Sequence, residues 1–179
     1  MIGDRDNMSS RKFIPVHIAV LTVSDTRTLS DDKSGDLLVE RINKAGHILV
    51  DRKITKDNKD GIVSILNQWL ELGATDVILT TGGTGLTGRD VTVEAHRAIY
   101  EKEIDAFGTL FTNISVSKIG TSAVQSRACA GVASGKFLFA LPGSPSACKD
   151  AWDEILIFQL DYRNKPCNFV EILPRLSER

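Results

Sequence analysis

Apolar positions along the chain fall into short continuous runs that alternate with longer stripes at helical spacing. Val16 to Val23, Val-His-Ile-Ala-Val-Leu-Thr-Val, is apolar enough for a strand buried on both faces, as in a parallel sheet. A polar loop follows from Ser24 through Lys33. Ser34 is then expected to cap a helix in which Leu37, Leu38, Arg41, Ile42 and Ala45 keep helical spacing until Gly46 stops it. Ile48 to Ile54 reads as a second, more alternating strand. Gly61 to Leu72 is an amphipathic helix with Ile62, Ile65, Leu66, Trp69 and Leu70 on its apolar stripe.

The third strand, centred on Val77, Ile78 and Leu79, breaks abruptly into Gly82, Gly83, Gly85 and Gly88 before a helix over Val93 to Glu101. A further helix is expected from Asp105 to Val116 and an irregular stretch from Ile119 to Gly135. A buried strand from Phe137 to Leu141 follows, then a last helix from Ala147 to Leu160 whose Trp152, Ile155, Ile157 and Phe158 are unusually apolar. Strand and helix in alternation predict an α/β fold, a three-layer, mostly parallel sheet with helices on both faces. Residues 1–12 are polar and charged and are expected to be a disordered N-terminal segment, with residues 13–179 forming a single domain.

Composition narrows the function classes. A formal net charge of -1 over 179 residues carries no basic stripe, so no nucleic-acid partner is expected. No apolar run reaches the roughly twenty residues of a membrane span, so no membrane partner is expected either. Three cysteines without a C-x-x-C pair suit a reducing, cytoplasmic setting, and three scattered histidines have no metal-ligand spacing. His17, inside an apolar strand, reads as a packed or edge histidine.

The chemistry concentrates in loops that follow strands. Glycines let a backbone approach a ligand and aim several N–H groups at one anion, and a following helix N-terminus adds to the attraction. Thr81 to Gly85 therefore reads as an oxyanion or phosphate cradle, the plainer alternative being a tight strand-to-helix turn. Gly83 to Gly88 satisfies G-x-G-x-x-G literally, but it follows a third strand, and no acidic residue about twenty positions on closes a second strand as ribose recognition would require. Arg89-Asp90 stands where a P-loop needs Lys followed by Ser or Thr. A serine hydrolase lacks its G-x-S-x-G elbow. Ser24, Thr84, Ser122, Ser126, Pro142, Gly143, Ser144 and Pro145 sit in loops that the fold class would bring to the carboxyl edge of the sheet, where such folds bind ligands. Asp57 and Asp90 are read as two carboxylates facing that edge, a pair suited to Mg²⁺ bridged to nucleotide phosphates.

Thr81-Gly82-Gly83-Thr84-Gly85 with Arg89-Asp90, Ile119-Gly120-Thr121-Ser122 with Gln125-Ser126-Arg127-Ala128, and Leu141-Pro142-Gly143-Ser144-Pro145 together resemble the MoaB/MogA molybdopterin-binding family of molybdenum-cofactor biosynthesis proteins. The resemblance spans about Phe13 to Phe169. It implies a domain that binds molybdopterin, a pterin dithiolene with a terminal phosphate, and in catalytic members transfers AMP to that phosphate. Mg²⁺ would enter with ATP as co-substrate, with no tightly bound protein-ligated metal. It further implies Asp57 and Asp90 as the catalytic acidic pair that holds Mg²⁺, Thr81 to Gly85 as the loop meeting the phosphates, and a homotrimer or homohexamer. A paralogue that binds molybdopterin or a purine nucleotide without chemistry is the alternative.

Overall fold

A computed structural model describes residues 11–178. The segment expected to be disordered, residues 1–12, lies outside the described residues except for its last two. Of these, Arg11 pairs with Glu171 at 3.2 Å and lies over the Tyr162 ring.

Six strands form one sheet: β1 (His17–Val23), β2 (Ile48–Thr55), β3 (Val77–Thr81), β4 (Lys102–Glu103), β5 (Cys129–Ala133) and β6 (Lys136–Leu141). Their order is β2-β1-β3-β6-β5-β4. β1 is parallel to β2 and β3, and β3 to β6, whereas β5 is antiparallel to both its neighbours. The sheet is thus mostly parallel, as expected. From β1 the chain moves outward to β2 and then crosses back to β3 on the other side, so the strand order reverses between β1 and β3. Loops leaving the two strands diverge at such a reversal and open a crevice.

Period-two alternation divides the core between two faces. Ile18 and Val20 of β1, Val77 and Leu79 of β3 and Phe137, Phe139 and Leu141 of β6 pack with α1 (Lys33–Ala45) and with Phe107 and Phe111 on the fourth helix. Ala19, Leu21, Val23, Ile78 and Leu138 point to the opposite face, under Ile62, Leu66 and Trp69 of α2 (Lys59–Glu71) and Ala95 of α3 (Thr92–Arg97). The three expected layers are present. Each large apolar side chain buried this way contributes roughly 1.5–3 kcal/mol before conformational entropy is subtracted.

Several boundaries differ from expectation, each for a visible reason. Asp32, not Ser34, caps α1: its carboxylate accepts the Gly35 N–H at 3.0 Å, the Thr22 hydroxyl at 2.6 Å and an Arg52 guanidinium N–H at 2.9 Å while fully buried. The stretch expected to be irregular contains β5, disguised by its small residues. A Cβ at Gly131 would run into the Tyr100 ring, so the middle of this strand carries a glycine, and Val132 is its one β-branched residue. Helix α4 (Asp105–Ile119) ends three residues later than expected and passes into a 3₁₀ turn, Gly120–Gln125. The last helix begins at Pro145, as α5 (Pro145–Ala151), and continues through a π turn, Trp152–Leu156, into α6 (Ile157–Gln159). Trp152, Ile155 and Leu156 are core, whereas Ile157 is 38% exposed. His17 opens the internal strand β1 at its amino end, where its partly exposed ring lies 3.0 Å from the Asp76 carboxylate.

His96 of α3 is fully buried between the Thr80 hydroxyl at 2.9 Å and the Tyr100 hydroxyl at 3.0 Å, and burial lowers its pKa from 6.5 to about 3. The native protein therefore refuses a proton that the unfolded chain accepts. Stability is full above pH 6.5 and falls on acidification toward pH 3, by up to about 1.4 kcal/mol per pH unit from this group. The expected result is a neutral His96 ring by NMR at pH 5, and a His96→Gln variant whose urea midpoint loses part of this acid dependence. A ring that titrates near 6.5 would refute the account.

Candidate functional site

The crevice at the strand reversal has a volume of about 400 Å³ and is lined by Val23, Ser24, Thr26, Arg27, Asp57, Gly82, Gly83, Asp90, Gly143 and Ser144. Its walls are the loops leaving β1, β2, β3 and β6. Gly82 and Gly83, with φ of +97° and +62°, turn the chain sharply after β3. A Cβ at Gly82 would collide with the Val23 carbonyl, and one at Gly143 would sit 3.1 Å from Gly82 Cα. Glycine is required here because backbone packs on backbone.

One wall is acidic. Burial raises the Asp57 carboxyl above its ordinary value, and the Asp25 and Asp90 carboxylates raise it further. Asp90 lies below the carboxylate range, chiefly because its Oδ2 accepts the Thr87 hydroxyl at 2.6 Å and also the Thr87 N–H at 2.9 Å. Arg89 spans the rim from the glycine loop, donating to both Asp25 oxygens at 2.8 Å, while Asp25 Oδ1 also accepts the Asp57 N–H at 3.2 Å. The opposite wall is made of hydroxyls and a cation. Ser24 Oγ accepts the N–H groups of Thr26 at 3.3 Å and Arg27 at 3.2 Å, which leaves its own proton free to donate. Ser144 accepts the Ala147 N–H at 3.2 Å as the cap of α5.

The structure thus brings together Ser24, Asp57, Gly82, Gly83, Asp90, Gly143 and Ser144. Thr81, Thr84 and Pro142 are buried beneath them. The Thr81 hydroxyl is committed to the Pro142 carbonyl at 2.8 Å, so it braces two loops against each other. Gly85 lies against Asp90, where a Cβ would come within 2.7 Å of Oδ2. Pro145 opens α5, where a missing N–H costs nothing. Ser122 and Ser126 are not in the crevice. Ser122 is exposed on the 3₁₀ turn, and Ser126 lines a second hollow of about 430 Å³ with Gly108, Thr112 and Arg127.

Two arginines escaped the sequence reading. Arg127 Nε donates to the Thr84 carbonyl at 2.9 Å and the Gly85 carbonyl at 3.0 Å, and Nη2 reaches the Asp90 carbonyl at 3.3 Å. An ion pair with Glu94 holds the guanidinium in place. Arg27 donates to the Gly143 carbonyl at 3.1 Å. Both lie inside recognisable segments, but their partners are 37 to 43 residues away for Arg127 and 116 for Arg27, and no local spacing reveals such bonds.

With this geometry in hand, comparison with known proteins is decisive. Residues 19–162 match the family model MoCF_biosynth, described as a probable molybdopterin binding domain. The chain belongs to this family. It is 46% identical over 160 residues to molybdenum cofactor biosynthesis protein B of Escherichia coli K12, covering 89% of this chain and 94% of that one. A crystal structure of molybdenum cofactor biosynthesis protein B superposes with a TM-score of 0.85 at 38% identity, covering 94% of this chain and all of the other. The tungsten cofactor synthesizing protein MoaB from Pyrococcus furiosus gives 0.76 at 32% identity, over 92% and 98% of the two chains. Membership in the molybdopterin-binding family places the chain in molybdenum-cofactor biosynthesis. Among the described residues, no helix is long and apolar enough to cross a membrane.

The raised Asp57 carboxyl makes a thermodynamic prediction for this family member. The native state holds that proton more tightly than the unfolded chain, so ionised Asp57 costs stability at neutral pH. Asp57→Asn is expected to raise the unfolding temperature at pH 7, with the gain vanishing below the unfolded value of 3.8. A lowered unfolding temperature at pH 7 would mean that the carboxylate is a structural anchor.

Proposed function

We propose that the chain binds molybdopterin and transfers AMP from Mg-ATP to its terminal phosphate. The observation that carries this reading is the acidic wall: Asp57 is raised by burial and by its carboxylate neighbours at the edge of a glycine-lined crevice. Such crowding is what a divalent cation relieves, and the hard oxygen donors of Asp57 and Asp90 suit Mg²⁺. Beside them, a Cβ at Gly83 would come within 2.6 Å of Asp57 Oδ1 and 2.5 Å of Thr92 Oγ1, a buried hydroxyl with no partner among the described residues. The residues present therefore fit a divalent cation, which Asp57 and Asp90 would hold and which would supply charge neutralisation to a nucleotide.

In the reaction, a phosphate oxygen of the pterin forms a bond to the α-phosphorus of ATP as the bond to the β-phosphate oxygen breaks, releasing pyrophosphate. Mg²⁺, when bound, supplies charge neutralisation for the triphosphate. The protein's own residues position and polarise. Asp57 and Asp90 hold the cation side, Gly82 and Gly83 let the backbone approach the phosphates, and Ser24 and Ser144 offer hydroxyl protons from the other wall. Transfer of this kind needs in-line positioning and electrostatic stabilisation more than a covalent nucleophile. ATP is the nucleotide of this reading, another purine nucleotide being the variant to compare.

The test is incubation of the purified protein with molybdopterin, Mg²⁺ and ATP, following adenylylated pterin and pyrophosphate. Product is expected, with Asp57→Asn and Asp90→Asn each lowering kcat by about a hundredfold or more, the usual scale for removing one electrostatic stabiliser. The raised Asp57 carboxyl puts the acid limb of kcat/KM at low Mg²⁺ above the pH at which an ordinary aspartate titrates, because the cation has to displace that proton. Pterin binding without product would make the chain a non-catalytic member.

The same reading makes the protein a cytoplasmic homotrimer or homohexamer. Its three free thiols, two of them buried, suit a reducing compartment. Exposed Leu110, Val116, Ile119 and Val124 give α4 and the turn after it an apolar surface suited to a subunit contact. The expected outcome is a trimeric or hexameric mass by light scattering that drops in Val116→Lys, and a monomeric wild-type mass would overturn it.

A further inference from the structure

The two walls of the crevice carry opposite charge, and that asymmetry assigns a role to a side chain the reaction scheme has not used. We propose that Arg27 receives the phosphate monoester of the pterin substrate, so that the pterin phosphate docks on the cationic wall and the nucleotide's cation on the carboxylate wall. This rests on the adenylyl-transfer reading and adds to it the determinant that selects a phosphorylated pterin.

Among the described residues that line the crevice, Arg27 is the sole basic one, and Asp57 and Asp90 line the same crevice. Its guanidinium is held at one end and open at the other. Nη1 donates to the Gly143 carbonyl at 3.1 Å and to Ser34 Oγ at 3.4 Å, while Nε and Nη2 have no partner among the described residues and the side chain is one-third exposed. Its contacts with carboxylates are loose. The nearest carboxylate, Asp32, is 4.0 Å away and is already paired with Arg52 at 2.9 Å. A guanidinium with two adjacent N–H donors free and its far edge fixed is arranged for bidentate capture of a tetrahedral oxyanion. A metal-bound triphosphate has part of its charge met by the cation, whereas a metal-free phosphate monoester has only the protein's own cation to meet its charge. Arg27 supplies one, with the Ser24 proton and the Ser144 hydroxyl beside it.

The loop does not depend on Arg27 for its shape. Ser34 Oγ donates to the same Gly143 carbonyl at 2.8 Å, so removing the guanidinium leaves that acceptor satisfied. Arg27→Met, which keeps the length of the stem, is therefore an informative variant.

The experiment measures anaerobic binding of molybdopterin, of its dephosphorylated form and of Mg-ATP to the wild-type protein and to Arg27→Met and Arg27→Lys. Arg27→Met is expected to weaken molybdopterin by about tenfold or more, the scale of a lost charge-assisted hydrogen bond. The dephosphorylated pterin and Mg-ATP should bind as before, and Arg27→Lys should recover part of the loss. The proposal is overturned if the variant weakens both pterin forms equally, or if it weakens Mg-ATP instead. It is equally overturned if the wild-type protein does not distinguish the two pterins. Because these readouts need no turnover, an absence of AMP transfer would refute the catalytic reading and leave the Arg27 result to stand or fall by itself.

Discussion

The crevice exists because three loops meet backbone against backbone. Gly82 lies on the Val23 carbonyl and Gly143 lies on Gly82, so the ends of β1, β3 and β6 close to distances that a Cβ at Gly82 would forbid and one at Gly143 would crowd. Parallel strands alone would leave their carboxyl ends splayed by side-chain bulk. Removing the side chains at these two positions draws the loops together and turns their polar groups onto one small volume.

Convergence brings like charges together, and the fold handles them in two ways. Inside the sheet, Asp32 is fully buried and yet held below the carboxylate range: burial pushes it up, but the Thr22 hydroxyl, the Gly35 N–H and Arg52 more than offset that cost. It joins β1, α1 and β2 at one point and has no capacity to spare. At the crevice, Asp57 has neighbours of its own sign and is left raised. A carboxylate whose partners are complete is architecture, whereas one left in conflict is available to a ligand. The same distinction separates Arg52, whose guanidinium serves Asp32 and Asp36, from Arg27, which is fastened at only one end.

Much of this was legible in the chain. Runs such as Val16 to Val23 and Val77 to Leu79, short, β-branched and bounded by turn residues, read as strands buried on both faces, and their alternation with amphipathic stripes leaves few arrangements of the sheet. The glycines after β3 and the small residues after β6 marked their loops because turn chemistry is local. What is not local was lost. β5 has a glycine at its centre because the Tyr100 ring lies over Gly131, and a requirement imposed by a residue 31 positions earlier leaves no mark that strand propensity can read. Ser122 and Ser126, expected at the carboxyl edge of the sheet, stand on the 3₁₀ turn after α4 and at the second hollow. Arg127, a few residues further on, reaches back to the glycine loop, where the serines do not.

That reach makes the glycine loop less self-contained than its sequence suggests. Its curvature after Gly83 is held by a guanidinium that lies some forty residues away and is itself steadied by Glu94. The loop is therefore not a portable cassette. Residues 81–90 moved into another parallel sheet would carry the glycines but not the external brace, and would be free to relax into other turns. The unit that can be transplanted, or that must be preserved together when the site is redesigned, is the loop, the first turn of α3 and Arg127 as one piece.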